Sequence, residues 1–170
     1  MKKIIVGLLV AAVSSFSIEV GKIPPSVVLQ GDNGGMTDGK AWHSEMLKGK
    51  VHVLFYVDPD KKDLNAPLTR ALKQRHFDRE KYASVAVVNL AATWKPDMII
   101  EALLKKKQKE FPDTVYVKDK KKVLVKKWQL SDDNSDILLF DKTGRLIYQK
   151  FGKLSPKEIE RVLSLIEQCL

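Results

Sequence analysis

Apolar residues occur along the chain as short continuous runs separated by segments with helical spacing. Val51 to Val57 is apolar apart from one histidine, and Ser84 to Leu90 is a second, similar run. Runs of this length predict strands buried on both faces of a sheet. Thr114 to Val117 alternates and predicts a third strand, whereas Val27 to Leu29 predicts a short strand between turn-forming segments.

Two of the segments between these strands have the spacing of amphipathic helices. Asn65 to Phe77 has a proline in its first turn, where proline is tolerated. Pro96 to Phe111 has lysines on its predicted outer face. Lys122 to Leu130 is ambiguous, and a short helix is the favoured interpretation. The residues predicted to face inward are Leu68, Ala71 and Leu72 in the first helix and Ile99, Ile100, Leu103 and Leu104 in the second, and the third helix would carry Val125 and Trp128.

The last third of the chain has the clearest pattern. Asp136 to Phe140 and Leu146 to Lys150 are joined by the turn sequence Asp141 to Gly144, which predicts a β-hairpin. Ser155 to Glu158 then has the sequence of a capping box, followed by an apolar helical stripe. The whole pattern predicts an α/β domain with a central mixed sheet, helices on both faces, and a C-terminal β-hairpin and helix.

The first seventeen residues match a cleavable secretory signal peptide. Lys2 and Lys3 precede the apolar run Ile4 to Val13, and small residues separated by one position follow in Ser14 to Ser17. We predict cleavage after Ser17, with Ala12 to Ser14 as the alternative, and one domain over residues 18–170. A buried N-terminal strand or helix is the other interpretation. The apolar run is too short for a membrane span, which needs about 20 residues.

The single cysteine, Cys169, lies next to the C-terminus. The chain therefore has no internal disulfide, no CxxC pair and no cysteine-based metal site. Because no cysteine lies near the predicted cleavage position, a lipoprotein anchor is excluded. A partly buried apolar role is favoured for Cys169 over an intermolecular disulfide.

The chain is basic, with a net charge of +9. Removal of Lys2 and Lys3 with the signal peptide leaves 28 basic and 21 acidic residues, a net charge of +7. The excess lies between Lys105 and Lys127. A solvated face is the ordinary interpretation, and contact with an anionic surface is the alternative. Export argues against nucleic acid as the partner. The clustered lysines are Lys105, Lys106, Lys107, Lys109, Lys118, Lys120, Lys121, Lys122, Lys126 and Lys127.

Several short motifs resemble the thioredoxin-like superfamily. Asp38-Gly39-Lys40 and Leu47 to Lys50 precede the first long strand as they do in exported thiol–disulfide proteins, and Ile137 to Gly152 is similar to their terminal hairpin. Within the superfamily, the chain resembles the YtfJ family of small exported bacterial proteins. This resemblance implies a thioredoxin-like fold and a periplasmic location, but no particular reaction. The motifs that carry it are Gly21-Lys22 before Pro24, Lys127 to Leu130, and Leu154-Ser155-Pro156.

The resemblance places the redox site of such proteins at Asp58 to Leu64, which contains no cysteine. Thiol–disulfide exchange needs an activated thiolate at a helix N-terminus and a resolving cysteine. The proline that precedes the hairpin in those proteins is also missing from Ser131 to Asp136. We therefore expect a redox-inactive binding or accessory module, without a cofactor, whose partner is an envelope protein or peptide. The predicted contact residues are Asp58, Asp60, Lys61, Asp63 and Trp128.

Two alternative functions remain open. One is an enzyme that uses the acidic bend together with a histidine, for which His43, His52 and His76 are the candidates. The other is an adapter that binds anionic envelope surfaces through the clustered lysines.

Other candidate sites have weaker support. The aspartates of the bend lack the spacing, central glycine and terminal glutamate of a calcium loop, and the same holds for Asp132, Asp133 and Asp136, so no metal is predicted. Gly31 to Gly35 lacks the flanking strand and helix of a phosphate-binding loop and is assigned to a loop. The three tryptophans, Trp42, Trp94 and Trp128, are expected in the core or at a sheet edge. Two of them exposed together would mark a ligand or partner patch.

Overall fold

The structure, a computed structural model, describes residues 17–170, so the predicted signal peptide lies outside the described residues except for Ser17. The strands are β1 (Val28–Leu29), β2 (Gly34–Met36), β3 (Trp42–His43), β4 (Val51–Val57), β5 (Tyr82–Asn89), β6 (Thr114–Asp119), β7 (Ser135–Phe140) and β8 (Leu146–Phe151). The helices are α1 (Ala66–Arg75), α2 (Asp97–Glu110), α3 (Val123–Trp128) and α4 (Pro156–Cys169).

Six strands form one mixed sheet in the order β2-β6-β5-β4-β7-β8, and β1 pairs with β3 separately. Strands β4, β5 and β6 are parallel, whereas β7 is antiparallel to β4 and β8 is antiparallel to β7. The carboxyl ends of β4, β5 and β6 therefore meet the beginning of β7 at one edge of the sheet, which we call the carboxyl edge. The turn between β7 and β8 lies at the opposite edge.

Both faces of the sheet are covered, as predicted. Leu54 and Tyr56 belong to the core beneath α3, which also contains the N-terminal strand pair. Val51 and Val53 point to the other face, where they pack with α1 and α4. Alternate residues of one strand thus enter different cores, which explains why β4 is apolar almost throughout.

Helix α2 lies beside α1, on the same face of the sheet, but its predicted inner stripe is half wrong. Ile100 and Leu104 are buried against Val88. Ile99 and Leu103 instead are 53% and 52% exposed. The helix covers only β6 and the carboxyl end of β5. One stripe of residues four apart is enough for this small area, and the adjacent stripe is rotated towards solvent.

The C-terminal hairpin and helix are confirmed. The Ser155 side chain accepts a hydrogen bond from the Glu158 backbone, and the Glu158 side chain accepts one from the Ser155 backbone. Val162, Leu163 and Ile166 form the buried stripe of α4. Among the described residues, none of the helices combines the length and apolar character that crossing a bilayer requires.

The assignment of Gly31 to Gly35 to a loop is partly wrong, because Gly34 and Gly35 belong to β2. This strand pairs with the outer edge of β6, with Gly34 opposite Asp119. A Cβ atom on Gly34 would lie 1.9 Å from the Lys118 carbonyl oxygen, and Gly34 has a φ of 123°. Glycine is required here by close backbone approach rather than by a turn.

Candidate functional site

Polar side chains collect at the carboxyl edge, where each parallel strand ends. Asp58 follows β4, Asn89 ends β5 and Asp119 ends β6. Open sheets with parallel strands bind ligands outside the carboxyl ends of their strands. This edge is also where the bend and the first turn of α1 lie, so it is the candidate site.

The bend after β4 is ordered by its own side chains. Asp58 is buried, and its Oδ1 accepts a hydrogen bond of 2.8 Å from the Asp60 backbone N–H. Pro59–Lys61 forms a single 3₁₀ turn as a result. Burial raises the pKa of Asp58, and the nearby Asp133 carboxyl raises it further.

Asp60 joins this bend to the connection between β5 and α2. Its carboxylate accepts a hydrogen bond of 2.8 Å from the Thr93 hydroxyl and forms an ion pair with Lys95. The hydrogen bond from Lys95 and, to a smaller extent, the one from Thr93 hold the pKa of Asp60 below its usual range. Trp94 lies between these two partners and is 86% exposed.

The amide of Asn65, just before α1, connects the bend to the C-terminal hairpin. It donates to the Ser135 carbonyl and hydroxyl and to the Gly152 carbonyl, each at 3.1 Å. Its Oδ1 accepts from the Leu154 backbone N–H at 3.0 Å. These four bonds hold α1, β7 and the end of β8 in one arrangement.

A second buried network surrounds Tyr56. Its hydroxyl donates to Asp119 Oδ2 at 3.1 Å, and the same carboxylate accepts from the backbone N–H groups of Val123 and Leu124 at the start of α3. Burial, followed by the Asp119 charge, raises the pKa of Tyr56. The tyrosine is therefore a hydrogen-bond donor to a helix-capping carboxylate rather than an acid or base poised for catalysis.

The predicted contact residues lie in three different environments. Asp58 is buried within the bend, whereas Asp60, Lys61 and Asp63 reach the surface there. The prediction for Trp128 does not agree with its position. Its indole donates to the Pro25 carbonyl at 2.8 Å, and it is buried against Trp42 and Phe140 at the opposite end of the sheet.

Trp94 is the residue that sequence reasoning missed, because all three tryptophans were expected in the core or at a sheet edge. Its position in a loop that directly follows a parallel strand was the available signal, since such loops carry functional residues. We call Asp60, Lys61, Asp63 and Trp94 the bend surface.

Histidine and cysteine chemistry is remote from this edge. His52 precedes Asp58 by six strand residues, about 20 Å of extended chain, and His76 lies beyond the far end of α1. His43 ends β3, and the residues that follow it line a cavity with Gly144 of the β7–β8 turn, at the opposite edge. Cys169 ends α4 near Asp141 of the hairpin turn, and burial raises the pKa of its thiol. Within residues 17–170, no three His, Cys, Asp or Glu side chains form a group suited to a metal ion.

The fold also divides the lysine-rich segment. Lys118 and Lys120 both form ion pairs with Glu101 of α2. Lys126 and Lys127 lie on α3, on the other face of the sheet from α2. The segment is therefore not one continuous basic surface.

Comparison with known protein families gives a match over residues 26–169 to the family described as "Bacterial protein of unknown function (YtfJ_HI0045)". The chain belongs to this family. One relative is the uncharacterized protein YtfJ of Escherichia coli K12, which is 31% identical over 134 residues and matches 77% of this chain and 73% of that protein. An uncharacterized protein of Haemophilus influenzae is 30% identical over 179 residues, which match 98% of this chain and 97% of that protein.

Solved structures similar to this family member have the thioredoxin-like fold. The pneumococcal exposed lipoprotein thioredoxin Etrx1 from Streptococcus pneumoniae has a TM-score of 0.58 at 17% identity, over 85% of this chain and 99% of that one. A thiol-disulfide isomerase from Corynebacterium glutamicum has a TM-score of 0.58 at 20% identity, over 82% and 95%. The predicted family and fold class are confirmed, and identities this low carry no activity across.

Proposed function

We propose that the protein is an exported, periplasmic binding module of thioredoxin-like fold, which contacts a protein or peptide partner through the bend surface and does not catalyse thiol–disulfide exchange. The observation that carries this proposal is the construction of the bend. The position where the fold places a reactive thiol is occupied by Asp58 and Asp60, whose side chains hold the turn rigid.

Trp94 supports protein binding rather than chemistry. An exposed tryptophan beside rigid polar groups is typical of binding hot spots, which combine a large apolar anchor with a polar rim. Because both neighbours of Trp94 are bonded to Asp60, its backbone is held before a partner arrives. Preorganisation of this kind lowers the entropic cost of binding.

Export is supported by the signal-like sequence before Ile18 and by the fold shared with an exposed lipoprotein. Cell fractionation and N-terminal sequencing test it. We expect the protein in the periplasmic fraction with Ile18 as its first residue. Retention of an unprocessed chain in the cytoplasm would contradict the proposal.

Site-specific photo-crosslinking in cells tests the binding site. We expect a crosslinker that replaces Trp94 to form a discrete adduct with one partner. The matched control replaces Ile23, which is exposed. It lies near the opposite edge of the sheet, where the Lys22 carbonyl accepts a hydrogen bond from the Leu146 backbone N–H. Equal adducts from both positions, or none from position 94, would remove the bend surface as the binding site.

The absence of exchange chemistry has its own test. Purified protein and its Cys169→Ser variant should both fail to reduce insulin disulfides, since the thiol has a raised pKa and lies far from the bend. A Cys169-dependent rate of insulin reduction would contradict a redox-inactive module.

A further inference from the structure

Helix α2 presents a face to solvent that is apolar in its first half and basic in its second. Met98 is 81% exposed, and Ile99 and Leu103 are half exposed. With 3.6 residues per turn, these side chains and the exposed lysines that follow occupy about 160° of the helix circumference. Those lysines are Lys105, Lys106 and Lys109.

The acidic residues of α2 do not neutralise this face. Glu101 pairs with lysines of β6 and its flank, at 3.3 Å and 2.8 Å, and Glu110 pairs with Lys107 at 3.1 Å. Asp97 lies 3.7 Å from Lys120. Among residues 17–170, no ion pair involves the three outward lysines, so the charge of the face is positive.

The shape of the face distinguishes between classes of partner. Its apolar side chains protrude from a single helix rather than line a groove. A lipid interface accepts protruding apolar side chains without a shape-matched pocket, while flanking lysines reach the phosphates on flexible stems. A positive charge beside the apolar residues selects for anionic lipid.

We propose that this face of α2, the α2 surface, docks on an anionic phospholipid bilayer, with its apolar half in the interface and its lysines at the level of the phosphates. Of the clustered lysines that the sequence suggested for contact with an anionic surface, the proposal therefore uses only those on the exposed face of α2. Because α2 begins at the carboxyl edge, docking would hold that edge close to the membrane.

Flotation with vesicles tests the proposal, using residues 18–170, which contain every element of the described fold. We expect the protein to float with vesicles of equal parts phosphatidylglycerol and phosphatidylcholine, but not with phosphatidylcholine alone. Added salt should weaken binding, because exposed charges are screened. Trp94 is the exposed tryptophan, whereas Trp42 and Trp128 are buried, so a blue shift of tryptophan emission on binding reports on the residue just before α2.

Paired variants separate this face from general charge attraction. Lys105→Gln/Lys106→Gln should lower the partition coefficient about 25-fold, since each lysine near an anionic surface is worth about a factor of five. The matched control, Lys126→Gln/Lys127→Gln on α3, removes the same charge from the other face of the sheet and should bind nearly as wild type does.

The apolar half has a separate variant, Ile99→Gln/Leu103→Gln, which should abolish the blue shift. Thermal unfolding of each variant checks that the fold is intact. Three results would overturn the proposal. The first is an equal loss of binding in the two lysine variants, and the second is wild-type binding by Ile99→Gln/Leu103→Gln. The third is equal binding of the wild type to both kinds of vesicle. Failure to float with either kind of vesicle would also overturn the proposal. If the protein then self-associates in a concentration-dependent way, the α2 surface would instead be a contact with a second copy of the chain.

Discussion

Asn65 and Ser135 are joined at the carboxyl edge by two hydrogen bonds from one amide group, to the carbonyl and the hydroxyl oxygen, each 3.1 Å long. The two residues are 70 positions apart. Asn65 directly follows the bend Asp58 to Leu64, where the resemblance places the redox site, and Ser135 begins β7, where the resemblance leads one to expect a preceding proline. A buried polar connection therefore joins the residue after the bend to the start of β7 and braces the carboxyl edge.

Asn65→Ala is expected to lower the free energy of unfolding by about 3 kcal/mol. It leaves the buried Leu154 N–H without its partner and removes the amide donor from two carbonyl groups, and each unsatisfied buried group costs about 1–3 kcal/mol. Urea unfolding measures the loss. Asn33→Ala, at an exposed position, is the control and should change stability by less than about 0.5 kcal/mol. Equal effects of the two substitutions would contradict the bracing role.

Asp119→Ala should destabilise the protein much more than Tyr56→Phe. The Asp119 carboxylate accepts from the Tyr56 hydroxyl and from three backbone N–H groups, at 3.1, 3.2, 2.8 and 2.9 Å. Loss of the carboxylate leaves the first turn of α3 uncapped and should lower the free energy of unfolding by about 3 kcal/mol. Loss of the hydroxyl removes one hydrogen bond and should lower it by about 1 kcal/mol. Urea unfolding of both single variants and of the double variant tests this. Additive losses in the double variant would show that the two groups are not coupled.

Asp136 gives stability a component that falls as pH rises. Burial raises its pKa to about 6, against about 3.9 in an unfolded chain. Because the folded state holds this proton more tightly, the contribution is fully present below about pH 4 and is lost as pH rises through about 6. Relative to Asp136→Asn, the wild type should lose about 2–3 kcal/mol between pH 4 and pH 7, since one pKa unit corresponds to about 1.4 kcal/mol. Urea unfolding of both proteins across this range measures the difference, and parallel curves would contradict it.

Glu158 should behave with the opposite sign. Its pKa is lowered to about 2, first by Lys150 and then by the capping bonds with Ser155. Its contribution to stability is present above about pH 4.3, the unfolded value, and is lost as pH falls through about 2. The advantage of the wild type over Glu158→Gln should therefore shrink on acidification. Carboxyl NMR titration is the direct measurement, and Lys150→Met should move the Glu158 pKa upward; an unchanged titration would show that Lys150 is not its cause.

Most elements could be predicted from local pattern alone. The apolar run Val51 to Val57 coincides with β4, and the Ser155 capping box begins α4 as expected. Signals such as alternation, caps and turns depend only on residues close in sequence, so they can be read without knowing which residues are neighbours in space. Strand β2 could not be predicted in this way, because its glycines are explained only by the approach of the Lys118 carbonyl.

The candidate site depended more heavily on the tertiary structure. Sequence reasoning located the bend, and Asp60 and Lys61 do reach its surface. The position of Trp94 in a loop after a parallel strand favoured a functional role, but the sequence did not show that Trp94 is exposed and Trp128 buried, since the burial of an indole depends on tertiary packing. Whether Ile99 or Ile100 faces the core was equally undetermined, because both fit an apolar helical stripe.

The sequence by itself therefore determined the order and kind of most elements, the family, and the absence of a thiol at the bend, because residue identity and short-range spacing decide these. The tertiary structure alone decided which tryptophan meets solvent, how Asn65 connects α1 to the hairpin, and how the lysine-rich segment divides between α2 and α3. Those properties arise from contacts between residues far apart in the chain, and the same local pattern is compatible with several such arrangements until the elements pack.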